Sequence, residues 1–330
     1  MKRIELDAYG VPEDVARCVE APDIGAPGAG EVVFDVIAFP INPADIGFCR
    51  GTYRIKPPLP ATPGAECIGR VRAVGDGVTH VKAGDLVINL ARENWASQRR
   101  VKAEDAVPVP SGLDLRQAAM LRINPPTAQL MLSDLVDLKP GDWVIQNVAN
   151  SAVGRLVVIL AKARGLRTVN VTRREDVFPE LMALGADICL TDGPDLAERV
   201  ADATRGATIP LGLDAVSGAA TARIAACVKD EGTVCTYGSM TGEAPSVSVA
   251  DVVFRGLNFT GFMLGRFMAR RSAEEIRAIY ADLGDQMLKG IIHAPVDSVY
   301  AIEDIREALI RVQTGGRNGK VLVSPGGEVA

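Results

Sequence analysis

Residues 142–174 read DWVIQNVANSAVGRLVVILAKARGLRTVNVTRR, and the order of patterns along them decides the fold. An apolar run, Trp143–Val148, leads into a turn of small residues, Ala149-Asn150-Ser151-Ala152-Val153-Gly154. Val153, Leu156, Val157, Leu160 and Ala163 then recur at helical spacing and share one face. Gly165 stands where a helix end favours left-handed backbone. Arg167–Thr172 is rich in β-branched residues and reads as a second strand. Strand, tight turn, helix and strand make a βαβ unit, which puts the turn at a helix N-terminus. Free N–H groups and the helix dipole there favour a diphosphate.

Against the dinucleotide pattern G-x-G-x-x-G the turn reads A-x-S-x-x-G, with Ala149, Ser151 and Gly154 at the marked places. Small residues still allow a tight turn and a close backbone approach, so Asn150, Ser151, Ala152, Val153 and Gly154 are the expected pyrophosphate cradle. A turn that binds NAD is followed about 20 residues later by an acidic residue for the ribose 2′-hydroxyl. Here Thr172, Arg173 and Arg174 hold that place, and carboxylates follow only at Glu175 and Asp176. Guanidinium groups fork onto a phosphate, so the expected cofactor is NADPH.

Bulk properties bound the rest. A chain of 330 residues, 48% hydrophobic and 23% charged, is a soluble globular protein of about two domains. Its net charge of −5 argues against a general nucleic-acid binder. No apolar run approaches the length that spans a bilayer, and MKRIELDAYG has no apolar signal region. The six cysteines are scattered without a C-x-x-C pair, which predicts reduced thiols and a cytoplasmic protein.

Residues 1–120 read mainly as short strands punctuated by Gly and Pro. Strands are expected at Glu31–Phe39, Glu66–Val74 and Asp85–Leu90, a turn at Pro40-Ile41-Asn42-Pro43, and a Gly51 turn before Tyr53. From Gly141 to about Met263 strands and helices alternate, which predicts a parallel sheet covered on both faces, with ligands at the carboxyl ends of its strands. The last stretch reads as helix 273–289, strand 291–300, helix 303–312 and strand 320–323.

INPADI (41–46), RGTY (50–53), LPATPGAECIGRVRAVGDGVTHVKAGDLV (59–87), INPPTA (123–128), DAVSG (214–218) and TYGSM (236–240) resemble the medium-chain dehydrogenase/reductase superfamily. More narrowly they are similar to its mitochondrial-type trans-2-enoyl thioester reductases. The resemblance implies a doubly wound, Rossmann-type NADP-binding domain (residues 122–263) inserted in a β-rich GroES-like catalytic domain (1–121 and 264–330). It also places Tyr237, Gly238, Met240 and Met263 around the cofactor, although the family often has an aromatic residue at the place of Met263. Zinc-dependent members carry Gly-His-Glu where this chain has Gly64-Ala65-Glu66, and Cys-Gly-x-Asp where it has Asn42–Asp45. His80 and His293, the only histidines, lack cysteine neighbours at ligand spacing. Metal-free chemistry is therefore expected.

The activity implied is NADPH-dependent reduction of the C2=C3 bond of an enoyl thioester, with hydride to C3 and a proton to C2. Tyr53 matches the family's active-site tyrosine, and a phenol of pKa about 10 can donate at neutral pH. Asn42 and Thr127, in the two INP strings, are candidates to orient nicotinamide or substrate, with turn formation as the alternative. NADPH:quinone or enone reduction on the same scaffold is the second reading, and a non-catalytic NADPH-binding protein the third. The thioester carrier is CoA or acyl carrier protein. An apolar, strand-like Leu257–Leu264 at the sheet edge predicts a homodimer.

Overall fold

A computed structural model describes residues 1–329. The chain forms two compact units, one from residues 1–123 with 271 onward and the other from Asn124–Arg270.

The second unit is built on a six-stranded sheet in which every pairing is parallel. In space the strands run Ile188–Thr191, Arg167–Thr172, Trp143–Gln146, Leu211–Asp214, Thr233–Thr236 and Asn258–Gly261. Numbered by sequence, that order is 3-2-1-4-5-6, the arrangement of a doubly wound dinucleotide fold. The central strands Trp143–Gln146 and Leu211–Asp214 are buried at every position because helices cover both faces. Between them the direction of winding reverses, which opens a crevice at their carboxyl ends. Helix Ala152–Ala163 leaves the first strand through the small-residue turn, burying Leu156 to Ala161. A second helix, Asn124–Asp134, packs on it. Turn formation was the alternative reading for Thr127. Instead Pro125 and Pro126 occupy the first helical turn, where their missing N–H groups cost nothing.

The first unit carries a seven-stranded sheet. Its main path is Val296–Ala301, Lys320–Ser324, Glu31–Pro40, Ile68–Val74, Leu86–Asn89 and Ala106–Pro108, and Gln98–Lys102 also pairs with Glu31–Pro40. The chain's last strand lies antiparallel to Glu31–Pro40, with Val323 opposite Phe39 and Leu322 opposite Pro40. The two ends of the sequence therefore share one sheet and one core, where Phe34, Phe39 and Trp95 pack with Val321 and Val323. The predicted strand at 291–300 is confined to Val296–Ala301, since Pro295 contributes its carbonyl to the Lys320 N–H and starts the strand late.

Pro40–Pro43 is not a simple turn. The strand runs through Pro40, and Pro43 opens a helix, Pro43–Arg50, that the sequence reading missed. Gly51 ends it at φ 69°, a left-handed conformation for which glycine is suited. A Cβ there would stand 2.9 Å from the Tyr9 ring.

Candidate active site

In the second unit the phosphate turn is shaped by its backbone. Val148 adopts φ 50°, and its carbonyl takes the Ser151 N–H at 2.9 Å, which closes the turn. Ser151 is the helix N-cap, and its Oγ accepts from the Gly154 N–H at 3.0 Å. A Cβ on Gly154 would lie 2.6 Å from the carbonyl oxygens of both Val148 and Ala149, so only glycine fits. Asn150, Ala152 and Val153 complete the turn, which leaves first-turn N–H groups facing outward at the positive end of a twelve-residue helix.

The facing strand end is organised by Asp214, fully buried and without an ion pair among the described residues. Its Oδ1 accepts from Asn147 Nδ2 (2.6 Å), Val216 N (2.9 Å) and Ser217 N (3.1 Å), and its Oδ2 accepts from Thr221 Oγ1 (2.6 Å). Asn147 Oδ1 in turn receives the Ala215 N–H at 2.8 Å. Charge-assisted bonds to several donors satisfy a buried carboxylate without an ion pair. The result locks residues 214–218 beside the next strand end, where Tyr237 N bonds Asp214 O and Met240 N bonds Ala215 O. Gly238 packs its backbone on Ala215, with room for a Cβ only at 3.1 Å from the Ala215 oxygen. The Tyr237 hydroxyl is buried beside Ser151 without a hydrogen bond of good geometry, and burial pushes its pKa well up. Met240 (65% exposed) and Met263 (43% exposed) project from the same strand ends.

At the end of the second strand Thr172 is buried, and its hydroxyl donates to the Arg174 carbonyl at 2.7 Å. Arg174 pairs with Asp176 at 3.2 Å, whereas Arg173 is exposed and has no ion pair among the described residues. A turn that admits only glycine, an orphaned hydroxyl at its rim and an unpaired guanidinium fit a phosphorylated dinucleotide.

In the first unit the sequence candidates Asn42 and Tyr53 sit at opposite ends of helix Pro43–Arg50. Asn42 is the helix N-cap, and Asp45 Oδ2 accepts its N–H at 2.9 Å within a capping box. The Asn42 side chain is buried. Its Nδ2 donates to Glu66 Oε1 at 2.8 Å, and its Oδ1 accepts from Lys320 Nζ. Glu66 Oε2 accepts the Ile123 N–H at 3.0 Å, and Arg122 donates to the Ala65 carbonyl at 2.5 Å and to the Leu90 carbonyl. Asp45, Glu66 and Lys320 are buried titratable groups. Burial raises both carboxyl groups and lowers the ammonium, and attraction to Lys320 opposes the rise at each carboxylate. Both ends of the Asn42 amide are engaged within the first unit. Thr127 is buried in the first turn of Asn124–Asp134, in the other unit.

Tyr53 follows the Gly51 turn, with its N–H bonded to the Gly47 carbonyl at 3.0 Å and its ring half-buried on the core. Its hydroxyl makes no hydrogen bond to any described residue. The Arg92 guanidinium lies over the ring, 5.3 Å from its centroid. Sequence inspection passed over Arg92 and Lys320, whose places depend on long-range pairing. Asp45 was legible in principle, because Asn-x-x-Asp before an apolar run is a capping pattern.

The comparisons agree with this geometry. Residues 28–111 match the family described as alcohol dehydrogenase GroES-like domain, and residues 152–281 match that described as zinc-binding dehydrogenase. Over 319 residues the chain is 35% identical to the mitochondrial enoyl-[acyl-carrier-protein] reductase of Bos taurus, covering 93% of this chain and 85% of that protein. Escherichia coli quinone oxidoreductase complexed with NADPH matches at TM-score 0.89 and 25% identity, over 98% of this chain and 100% of the other. The complex of Etr1p with NADP and crotonyl-CoA matches at TM-score 0.86 and 24% identity, over 98% and 99%, a likeness of fold. Fold and comparisons define an oxidoreductase. The chain belongs to the medium-chain dehydrogenase/reductase superfamily, in the family that includes the mitochondrial enoyl-acyl-carrier-protein reductases. Those relatives are named mitochondrial, where composition pointed to the cytoplasm; no helix among the described residues is long and apolar enough to cross a membrane.

The zinc in the second family description finds no place here. Ala65 offers no donor atom, and the Asn42 amide is bonded to Glu66 and to the Lys320 ammonium, a cation that attracts both Glu66 and Asp45. Among the described residues no group of three or more His, Cys, Asp and Glu side chains could hold a metal ion.

Proposed function

We propose that the chain reduces the C2=C3 double bond of a trans-2-enoyl thioester with NADPH, without zinc. NADPH, when bound, supplies the hydride that adds to C3. The chain's own residues do the rest. The Asn150–Gly154 turn binds the diphosphate through backbone N–H groups, and Arg173 recognises the ribose 2′-phosphate, with Arg174 held by Asp176. Tyr237, Gly238, Met240 and Met263 border the nicotinamide end. Tyr53 donates its proton to C2, and water re-protonates it. The substrate domain comprises residues 1–121 and 264–330, and the cofactor domain residues 122–263.

The observation that carries this reading is Tyr53: a phenol fixed by its backbone after a glycine turn, packed against the core, its hydroxyl without an intramolecular partner. Such a donor costs no rearrangement when a substrate carbon gains charge. The names of the curated relatives support the same substrate class. The match to a quinone oxidoreductase supports the second reading, in which quinol oxygens take their protons from water and Tyr53 is dispensable.

Tyr53→Phe separates them. With crotonyl-CoA, kcat and kcat/KM should fall together by about 10²–10⁴-fold while NADPH affinity is unchanged. Activity within threefold of the parent on crotonyl-CoA, with a small quinone reduced equally well by both proteins, would move the quinone reading ahead.

A further inference from the structure

Beside Tyr53 lies a cation that the proposed mechanism does not yet use. Arg92 sits in the loop after strand Leu86–Asn89, and that loop is held at almost every residue. Arg122 donates to the Leu90 carbonyl, and Asn94 Nδ2 donates to the Ala91 carbonyl at 2.9 Å. Arg99 donates to the Arg92 carbonyl at 3.0 Å, and Trp95 N donates to Pro63 at 3.1 Å. Asn94 Oδ1 accepts from Asn89 at 2.6 Å, which ties the loop to the strand. Glu93 is kept at φ 66°, a conformation that non-glycine residues seldom adopt without support.

This scaffold presents a guanidinium with no polar partner. Arg92 lies 5.3 Å from the centroid of Tyr53 and 5.8 Å from that of Phe48, yet it makes no salt bridge or side-chain hydrogen bond among the described residues. Its Nη2 is buried and unsatisfied. Its charge opposes the rise that burial imposes on the carboxyl of Asp45, whose Oδ1 is also without a hydrogen-bond partner. A buried donor left open costs about 1–3 kcal/mol, and arginine has five donors to place. Holding such a group rigidly against the proposed proton donor is sensible if an anionic oxygen arrives there.

We propose that Arg92 is a further catalytic residue, binding the thioester oxygen as it becomes an enolate oxygen. This rests on the enoyl thioester reading above. Hydride from NADPH forms the C3–H bond, leaving NADP⁺. The C2=C3 π electrons move to C2 and, through conjugation, to the thioester oxygen, where Arg92 donates to the negative charge. Collapse of the enolate breaks the Tyr53 O–H bond and forms C2–H, giving the saturated thioester, and water returns a proton to Tyr53. A carbonyl oxygen and C2 are two bonds apart, so one donor for each, side by side, suits the enolate. Cation and phenol then divide the work: charge stabilisation for Arg92, protonation for Tyr53.

The test uses Arg92→Leu and Arg92→Lys in the full chain with two substrates, crotonyl-CoA and the crotonyl thioester of N-acetylcysteamine, which has no phosphate. For Arg92→Leu, kcat should fall about 10²-fold on both, with KM and NADPH affinity little changed, and Arg92→Lys should recover part of the loss. Activity within threefold of the parent on both overturns the proposal. So does a loss confined to KM for crotonyl-CoA, which would make Arg92 a contact for the carrier's phosphates. A role limited to balancing Asp45 is separated by repeating the substitution in an Asp45→Asn background. There the kcat loss should persist, and its disappearance overturns the proposal. Should Arg92→Leu fail to fold, Arg92→Gln serves under the same criteria. A parent protein that turns over neither thioester refutes the enoyl thioester reading itself, a result distinct from failure of Arg92 alone.

Discussion

Replacing Lys320 by Met asks whether one ammonium stabilises two buried carboxylates. Methionine keeps a similar apolar stem but deletes the charge and the bond to Asn42 Oδ1. Asp45 and Glu66 are fully buried, and Lys320 is among the cations that oppose the upward push of burial on each. Breaking a buried ion pair costs about 3–5 kcal/mol because a charge is left uncompensated, and that is the upper bound here, where Lys320 attracts the carboxyl groups and its printed side-chain bond is to Asn42. The loss should depend on pH. A carboxyl whose folded pKa is raised contributes stability that is full below its unfolded pKa, near 4, and lost as pH rises through the folded value. Without Lys320 both carboxyl groups move further up, so the deficit is largest above neutrality. It narrows on acidification by up to about 1.4 kcal/mol per pH unit for each carboxyl protonated only in the folded state. Lys320 has the opposite sign. Its pKa is lowered, so its contribution in the parent is present above the free lysine value and lost as pH falls through the lowered one. Trp95 is buried in the first unit and Trp143 lies in the second, so a Trp143→Phe background lets Trp95 report the first unit alone. Urea unfolding followed by Trp95 fluorescence at about pH 8 and about pH 5.5 measures the effect. A loss below about 1 kcal/mol at both values, or an equal loss at both, would refute the charge-balance account.

Gly154→Ala should weaken NADPH by at least tenfold and lower the melting temperature, because a Cβ meets two backbone oxygens at 2.6 Å; fluorescence titration and thermal unfolding check both. Arg173→Ser should cut the preference for NADPH over NADH by about tenfold, in line with loss of a charge-assisted bond of about 1.5 kcal/mol at an exposed site. Arg174→Ser should cut it less, since Asp176 already engages that guanidinium, and equal effects from the two would contradict this ranking. A homodimer is expected to form through the second unit's edge, so Phe254→Glu should shift the mass from dimer to monomer in light scattering. The apolar surface there is not on the edge strand, as the sequence suggested. That strand, Asn258–Gly261, is half-polar, and the most exposed apolar residues near it precede it, with Phe254 at 82% and Val253 at 63% exposure.

Much of this molecule is written in local pattern. Helical spacing from Val153 to Ala163, β-branched flanks and a small-residue turn between them were enough to read a βαβ unit. Each is a property of neighbours in sequence, and period and residue size determine it. Arginines at 173 and 174 were legible for the same reason, since a strand end lies a fixed distance past its turn. Tyr53, the proposed proton donor, was singled out through the string that carries it.

Tertiary structure alone decided what those residues touch. The Asn42 amide reads as a free polar group in a turn, yet it bonds Glu66, 24 residues away, and Lys320, 278 residues away. That pairing exists because the last strand joins the first unit's sheet beside Glu31–Pro40. Arg92 looks like any loop arginine, and only the packing of its loop sets it over Tyr53. Asp214 ends a strand in sequence and holds two strand ends together in space. Periodicity records which face of an element is apolar. It holds no record of which distant polar group will be buried against which, because that is fixed by sheet order and closure of the core.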